Sequence, residues 1–300
     1  ASLMIGQELL WQEQRITMKF SYHGTSYAEV NPGLLGDSWS TSILKDYNGQ
    51  TYWLSFNVHD LTGWDAWPQW LNVAGGYGAD GMVQVFNAED SSQIYGMIQN
   101  GNLYRSSNFG QTSQGLGNPT GGVWVTPMEW DKVGEQLVVG YDQLYTYSDA
   151  GGWTVLSTTV FPSNLRYVEL YKGELDTVLF ADNSNLYRST DGGVTETDLT
   201  ANLPIGFFGS IQDIEFDDSD AQHFFVLREN AVFETIDGGV TFTNLTDNLP
   251  STHFNDIEMD QSQTNKSLYL ATDVAVHYYN TTIDDWVPYN NNLPAVVVTD

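Results

Sequence analysis

A mainly all-β chain of repeated four-stranded sheets is what this sequence predicts, and three observations predict it. Charged residues fill only 16% of the 300 positions while Gly, Asn, Thr and Ser abound, a mix suited to short strands and tight turns. Hydrophobic residues at 41% and aromatics at 14% supply enough apolar surface for a packed core. Laid over itself, the chain repeats. Asn185–Pro204 (NLYRSTDGGVTETDLTANLP) returns 46 residues later as Ala231–Pro250 (AVFETIDGGVTFTNLTDNLP), with the same DGGVT core and the same NLP close.

In chain order, the first eighty residues stand apart as a small α+β or irregular segment. Ser2–Lys19 spaces Leu3, Leu9, Leu10 and Ile16 at partly helical intervals and predicts an amphipathic helix. Pro32-Gly33 ends the irregular stretch that follows, and Leu44–Val58 (LKDYNGQTYWLSFNV) predicts an aromatic hairpin about the Asn48-Gly49 turn. Trp64, Trp67 and Trp70 cluster next. Burial against the neighbouring helix is the plainer reading of them, and a surface for lipid or sugar rings is the functional one. The runs GQELLWQEQRITMKFSYH, LKDYNGQTYWLS and WLNVAGGYGADGM together resemble the C-terminal half of a bacterial family of envelope lipoproteins. That resemblance implies location rather than chemistry, with peripheral membrane association of residues 1–80 as one reading.

Residues 81–300 divide into five degenerate repeats, at about 81–122, 123–162, 163–206, 207–250 and 251–294. The first copy opens as NLYRSSNFGQT from Asn102 and the second reads QLYTYSDAGGWTVLSTTVFP over Gln143–Pro162. The fifth, Ala275–Pro294, keeps the frame and the NLP ending without the glycines, and successive offsets are 41, 42, 46 and 44 residues. Two strand-like runs precede each copy, such as Ile211–Phe216 with His223–Leu227 and Phe254–Met259 with Ser267–Ala271. With a strand on either side of the DGG turn, each repeat makes one four-stranded sheet. Periods of about 40–50 residues are those of β-propeller blades. One such sheet cannot bury both its faces, whereas stacked sheets can. The five repeats are expected to form an incomplete ring.

The turn follows Ser-x-Asp-x-Gly-x-Thr-aromatic. Ser189, Asp191, Gly193 and Thr195 meet it with Glu196 in the aromatic place, and Thr235, Asp237, Gly239, Thr241 and Phe242 meet it with Thr for Ser. An Asp there accepts from backbone N–H groups, the glycines take positive φ, and the Thr and aromatic fasten the turn to its sheet. These residues are expected to be structural and to lie away from a central channel. They resemble the Asp-box (BNR) repeats of sialidases, of xyloglucanase-like glycosidases and of the sortilin-type propeller. The long form YRSTDGG with its NLP close looks most like large secreted propeller proteins of Bacteroidetes-type bacteria. The resemblance implies an extracellular or cell-envelope, outer-membrane-associated setting.

The net charge of −28 is uneven: residues 1–80 hold 8 acidic and 3 basic side chains, residues 81–300 hold 30 and 7. No basic stripe exists to neutralise phosphates, which argues against nucleic acid and against anionic lipid. Cations, neutral glycans and basic proteins are easier partners. Without a cysteine there is no thiolate zinc ligand, thiol nucleophile or disulfide. No apolar run reaches the length of a membrane-spanning helix, and no secretory signal is visible. Because the chain opens at Ala1 and closes mid-pattern at Asp300, a fragment without its targeting segments is expected.

Gly76–Gly81 matches GxGxxG, but the strand-like MVQVF follows where a phosphate-binding helix should start. His23, His59, His223, His253 and His277 show no paired spacing, and acidic turns such as Asp217–Asp220 lack the ligand alternation of a calcium loop. Neither a metal nor a cofactor is expected. Glycoside hydrolysis needs two carboxylates about 5–10 Å apart across a cleft, and 38 acidic residues offer too many pairs for abundance to count. Sialidases of the resembled kind clamp a carboxylate with an arginine cluster. Here Arg105 and Arg188 recur at one repeat position, which marks them as framework, and only four arginines follow residue 80. The xyloglucanase-like arrangement sets one catalytic Asp on each of two propellers, and this chain can hold part of one.

The expected function is a non-catalytic, secreted or cell-surface propeller that binds a glycan or an extracellular protein. A fragment of a xyloglucanase-like glycoside hydrolase acting on polysaccharide is the alternative, and a structural surface repeat protein the second. Trp124, Trp130 and Trp153 are the aromatics expected to stack on a ligand. No catalytic residue is singled out.

Overall fold

The computed structural model describes residues 81–298 apart from 88–89, 91, 109–111, 206–208, 264 and 290–296, together with the backbone of four strands between residues 20 and 58. In the N-terminal unit, β1 (Phe20–Tyr22) pairs antiparallel with β2 (Thr25–Tyr27). There too β3 (Trp39–Leu44) pairs with β4 (Trp53–Val58), Trp39 opposite Val58 and Leu44 opposite Trp53. The helix expected over Ser2–Lys19, the turn at Asn48-Gly49 and the tryptophans Trp64, Trp67 and Trp70 lie outside the described residues.

Five four-stranded sheets follow, each a meander in which sequential strands are neighbours. The first holds β5 (Gly81–Phe86), β6 (Ile94–Ile98), β7 (Asn102–Ser106) and β8 (Gln114–Gly117). The second holds β9 (Met128–Asp131), β10 (Gln136–Gly140), β11 (Leu144–Ser148) and β12 (Gly152–Val155). The third holds β13 (Tyr167–Leu170), β14 (Val178–Ala181), β15 (Leu186–Ser189) and β16 (Thr197–Asp198). The fourth holds β17 (Ile211–Phe216), β18 (Phe224–Arg228), β19 (Ala231–Thr235) and β20 (Thr243–Asn244). The fifth holds β21 (Phe254–Met259), β22 (Leu268–Thr272), β23 (Val276–Tyr279) and β24 (Val287–Pro288). Among the described residues no helix is long and apolar enough to cross a membrane.

A strand buried on both faces reads as an unbroken apolar run rather than an alternation. In β18 that run is Phe224-Phe225-Val226-Leu227, every side chain fully buried. Phe224 and Val226 join Ala231 and Phe233 against Leu179 and Leu186 of the third sheet. Phe225 and Leu227 join Val232 against Phe254, Leu268 and Leu270 of the fifth. Each such side chain contributes about 1.5–3 kcal/mol on burial, so the junctions between sheets are where the fold gains its stability. Polar caps reinforce them. The Tyr141 hydroxyl donates to Gly101 O at 2.6 Å and the Trp286 indole donates to Leu245 O at 2.7 Å, each from one sheet to the one before it.

The turns between third and fourth strands are held from within. Ser189 Oγ donates to Asp191 Oδ1 at 2.7 Å and accepts from Gly193 N at 2.9 Å. Asp191 accepts in turn from Thr195 N and Oγ1 at 2.9 and 2.7 Å. Thr235, Asp237, Gly239 and Thr241 repeat the arrangement with distances of 2.7–2.9 Å. Gly239 sits at φ +91°, and a Cβ there would lie 2.4 Å from Leu199 Cδ1 of the preceding sheet. Only glycine fits both the left-handed backbone and the close approach. Phe242 is partly buried against the junction of the third and fourth sheets, its ring 6.1 Å from that of Phe224.

Candidate functional site

The first strands of consecutive sheets lie side by side, β5 with β9, β9 with β13, β13 with β17 and β17 with β21. Between them runs a cavity of about 280 Å³. Val83, Val125, Pro127 and Met128 form its apolar part, and Glu129, Glu169, Asp213, Glu215, Asp256 and Glu258 its acidic part, with Arg166 and Tyr167 alongside. Period-two alternation explains the arrangement. In β17 it sends Ile214 and Phe216 into the junction with the third sheet and leaves Asp213 and Glu215 to the cavity, whose wall Ile214 also touches. Glu129, Glu169, Glu215 and Glu258 hold one repeat position in four successive sheets.

Gathering partly buried carboxyls beside one another raises the cost of ionising each one. Burial first, and then the charge of Glu258, pushes Glu129 up to about 7. The same causes push Glu215 up to about 9, although Met259 N and Gln261 Nε2 donate to it at 3.2 and 3.3 Å. Glu169 is raised well above the carboxylate range by burial and by Glu129, Glu215, Asp213 and Glu258 together. Asp213 is raised likewise, by burial and by Asp256, with which it shares a side-chain hydrogen bond. The nearby Tyr167 phenol is pushed up to about 12 by burial and by Asp213. Glu129, Glu169, Asp213 and Glu215 thus ionise less readily than free carboxyls, each through its burial and the charge of its neighbours.

The residues singled out from sequence lie elsewhere. Ser189, Asp191, Gly193, Thr195, Thr235, Asp237, Gly239, Thr241 and Phe242 occupy turns joining third to fourth strands, whereas first strands line the cavity. Hydrogen bonds from Thr195 hold Asp191 at about 2, and those from Thr241 hold Asp237 at about 2, which leaves both carboxylates occupied with their own turns. The tryptophans separate. Trp130 is 9% exposed and stacks on Tyr95 with centroids 5.6 Å apart, so its expected role in ligand stacking gives way to one in the core. Trp153 lies edge-on to Tyr141 and Tyr147 and donates to Leu116 O at 3.2 Å. Trp124 is 59% exposed and directly precedes Val125, a cavity residue. Among the described residues, no three of His, Asp and Glu are grouped to hold a metal ion.

Sheets of this design stacked around a cavity lined by their first strands define a β-propeller. No protein-family model matches the sequence, and no curated protein does. Among solved structures, an ancestral GH74 enzyme superposes with a TM-score of 0.61 at 13% identity, over 73% of this chain and 32% of its own. The extracellular domain of a one-component system from B. thetaiotaomicron gives 0.60 at 14% identity, over 89% of this chain and 36% of its own. YCF48 bound to a D1 peptide gives 0.50 at 10% identity, over 70% and 66%. At these identities the likeness is one of fold. The chain spans just under two thirds of the YCF48 chain and about a third of the other two.

Proposed function

We propose that this chain is a non-catalytic binding propeller of the Asp-box type, working outside the cell or in its envelope. It holds a protein partner by a lysine or arginine side chain admitted to the acidic cavity. The observation that carries this reading is the recurrence of one glutamate in β9, β13, β17 and β21 around a single cavity. Carboxyls raised by burial and by one another ionise more readily when a further ammonium or guanidinium joins Arg166 among them. A volume of about 280 Å³ lies just below the range of about 300–1,000 Å³ for small-molecule pockets, which suits one side chain better than a polysaccharide segment. Exposed Trp124, beside the lining residue Val125, adds an aromatic face suited to a cation or an alkyl stem. The peptide bound by YCF48 and the extracellular placement of the B. thetaiotaomicron domain accord with this reading.

Hydrolysis is less well supported. Glycosidases push two carboxyl pKa values apart, one acid and one base, whereas Glu129, Glu169, Asp213 and Glu215 are all pushed upward. The deciding experiment titrates the full chain by calorimetry with lysine- and arginine-containing peptides, and with neutral polysaccharides assayed in parallel for reducing sugar. Peptide binding that weakens about tenfold or more in Glu169→Gln supports the proposal, since an interaction with a buried charge exceeds the 1.4 kcal/mol of a tenfold change. Reducing-sugar release would replace it with a hydrolase, and peptide binding indifferent to Glu169→Gln would move the site off the cavity.

A further inference from the structure

The junction of the fourth and fifth sheets carries a charge cluster that the binding reading leaves unused. His223 closes the turn between β17 and β18. Its Nδ1 lies 2.7 Å from Asp217 Oδ2, and its Nε2 lies 2.8 Å from Glu234 Oε1 on β19. Glu234 Oε1 also accepts from Lys266 Nζ at 2.8 Å, and Lys266 comes from the fifth sheet, where its ammonium sits 5.3 Å from the Tyr279 ring centre. All four charged side chains are 16% exposed or less.

A neutral imidazole has a single N–H. Between two carboxylates it can donate to one and must turn a lone pair on the other. Imidazolium donates to both, so the geometry selects the charged ring. With His223 protonated, the charges of Asp217, Glu234, His223 and Lys266 cancel; without that proton one negative charge stays enclosed. Further charged neighbours are Asp220, whose carbonyl accepts from His223 N, Arg188 of the third sheet, which donates to Ala221 O at 3.0 Å, and Asp284, which accepts from the Tyr279 hydroxyl at 3.1 Å beside Lys266. The Phe225 ring, 5.0 Å away, closes the apolar side.

Ionisation accords with the geometry. Burial lowers His223, but Glu234 and Asp217 outweigh it and hold the ring above its ordinary value. Burial raises Glu234, but His223 and Lys266 outweigh it and hold the carboxyl down. Asp217 is held down by Ser219 and His223 against the same burial. The fold does not need ions at this position. In the fifth sheet the equivalent residues are Ser267 and Tyr278, whose hydroxyls meet at 3.0 Å.

We propose that the His223 cluster is a pH-gated latch between the fourth and fifth sheets: protonated, the ring ties Asp217 to Glu234 and through it to Lys266, and deprotonation releases the junction. A base with a raised folded-state pKa stabilises fully below its ordinary value of 6.5, and that stabilisation is lost as pH rises through the raised one. The test is amide hydrogen exchange on the full chain at pH 6 and pH 9, corrected for intrinsic rates, in the parent and in His223→Gln. Opening of residues 217–235 and 265–279 is expected to increase more in the parent than in the variant, while residues 128–155 respond alike in both. Equal pH responses in parent and variant would overturn the latch. Proton NMR of the parent gives an answer that does not depend on the variant's folding. A His223 ring titrating above 6.5, and lower in Glu234→Gln, supports the latch; a ring titrating at or below 6.5 in the parent overturns it.

Discussion

Thr235 uses one hydroxyl twice, donating to Asp237 and accepting from Gly239 N, at a side chain that is 1% exposed. Thr235→Val keeps the shape and strands that buried N–H, so a loss of about 1–3 kcal/mol is expected in denaturant unfolding. No loss would mean the turn satisfies Gly239 by another route. His277 presents the opposite case. It lies opposite Leu270 in β22, at the position that Phe233 fills in the fourth sheet, and it is 5% exposed with Nδ1 unpartnered. Burial lowers its pKa, so the folded chain favours the neutral ring and loses stability as pH falls below 6.5. His277→Leu removes the stranded nitrogen at similar volume. It is expected to raise the melting temperature by about 2–4 °C and to flatten that acid limb in scans at pH 5 and pH 7. Neither residue's role is announced by its type. Thr235 was legible because the turn recurs; His277 was not, because its burial depends on the register of β22 against β23.

At the scale of the strand, the inner edge of each sheet combines a packing face with an acidic one. Glu215 has an ordinary value of 4.5 and a folded value of about 9. Its stability contribution is complete below 4.5 and is lost progressively as pH rises toward 9. Glu215→Gln can still accept from Met259 N and removes the charge. The variant is therefore expected to match the parent in urea unfolding at pH 5 and to exceed it at pH 8, whereas a variant weaker at pH 8 would show that ionised Glu215 supports the fold. These carboxyls were visible as residues and invisible as a site. The repeats announce themselves through DGGVT and NLP, while the glutamates sit in the preceding strands, in Met128-Glu129-Trp130, Val168-Glu169-Leu170, Ile214-Glu215-Phe216 and Ile257-Glu258-Met259. Aligning those four triplets would have exposed the recurrence. The same alternation places Trp130 on the packing side, opposite Glu129, which the expectation of ligand stacking overlooked.

At the scale of the molecule, four-stranded sheets and the propeller class followed from the repeat period and composition, because a blade's two faces and its turns impose strong local patterns. The site did not follow, because it is assembled from one or two residues of each sheet and exists only when the sheets are stacked. A net charge of −28 draws cations toward the whole surface, and the cavity concentrates that field where the carboxyls of several sheets gather. Binding of a basic peptide should therefore weaken as salt is raised, most steeply at low ionic strength. Surface attraction alone would also be screened by salt, so salt dependence is not the sharpest test. Proton release is. The central claim is tested most directly by calorimetric titration of the full chain with a lysine-containing peptide at pH 6 and pH 8, in buffers of different ionisation enthalpy. The account predicts tighter binding at pH 8 and protons released at pH 6 as Glu129 and its neighbours ionise around the ammonium group; pH-independent binding without proton release would contradict it.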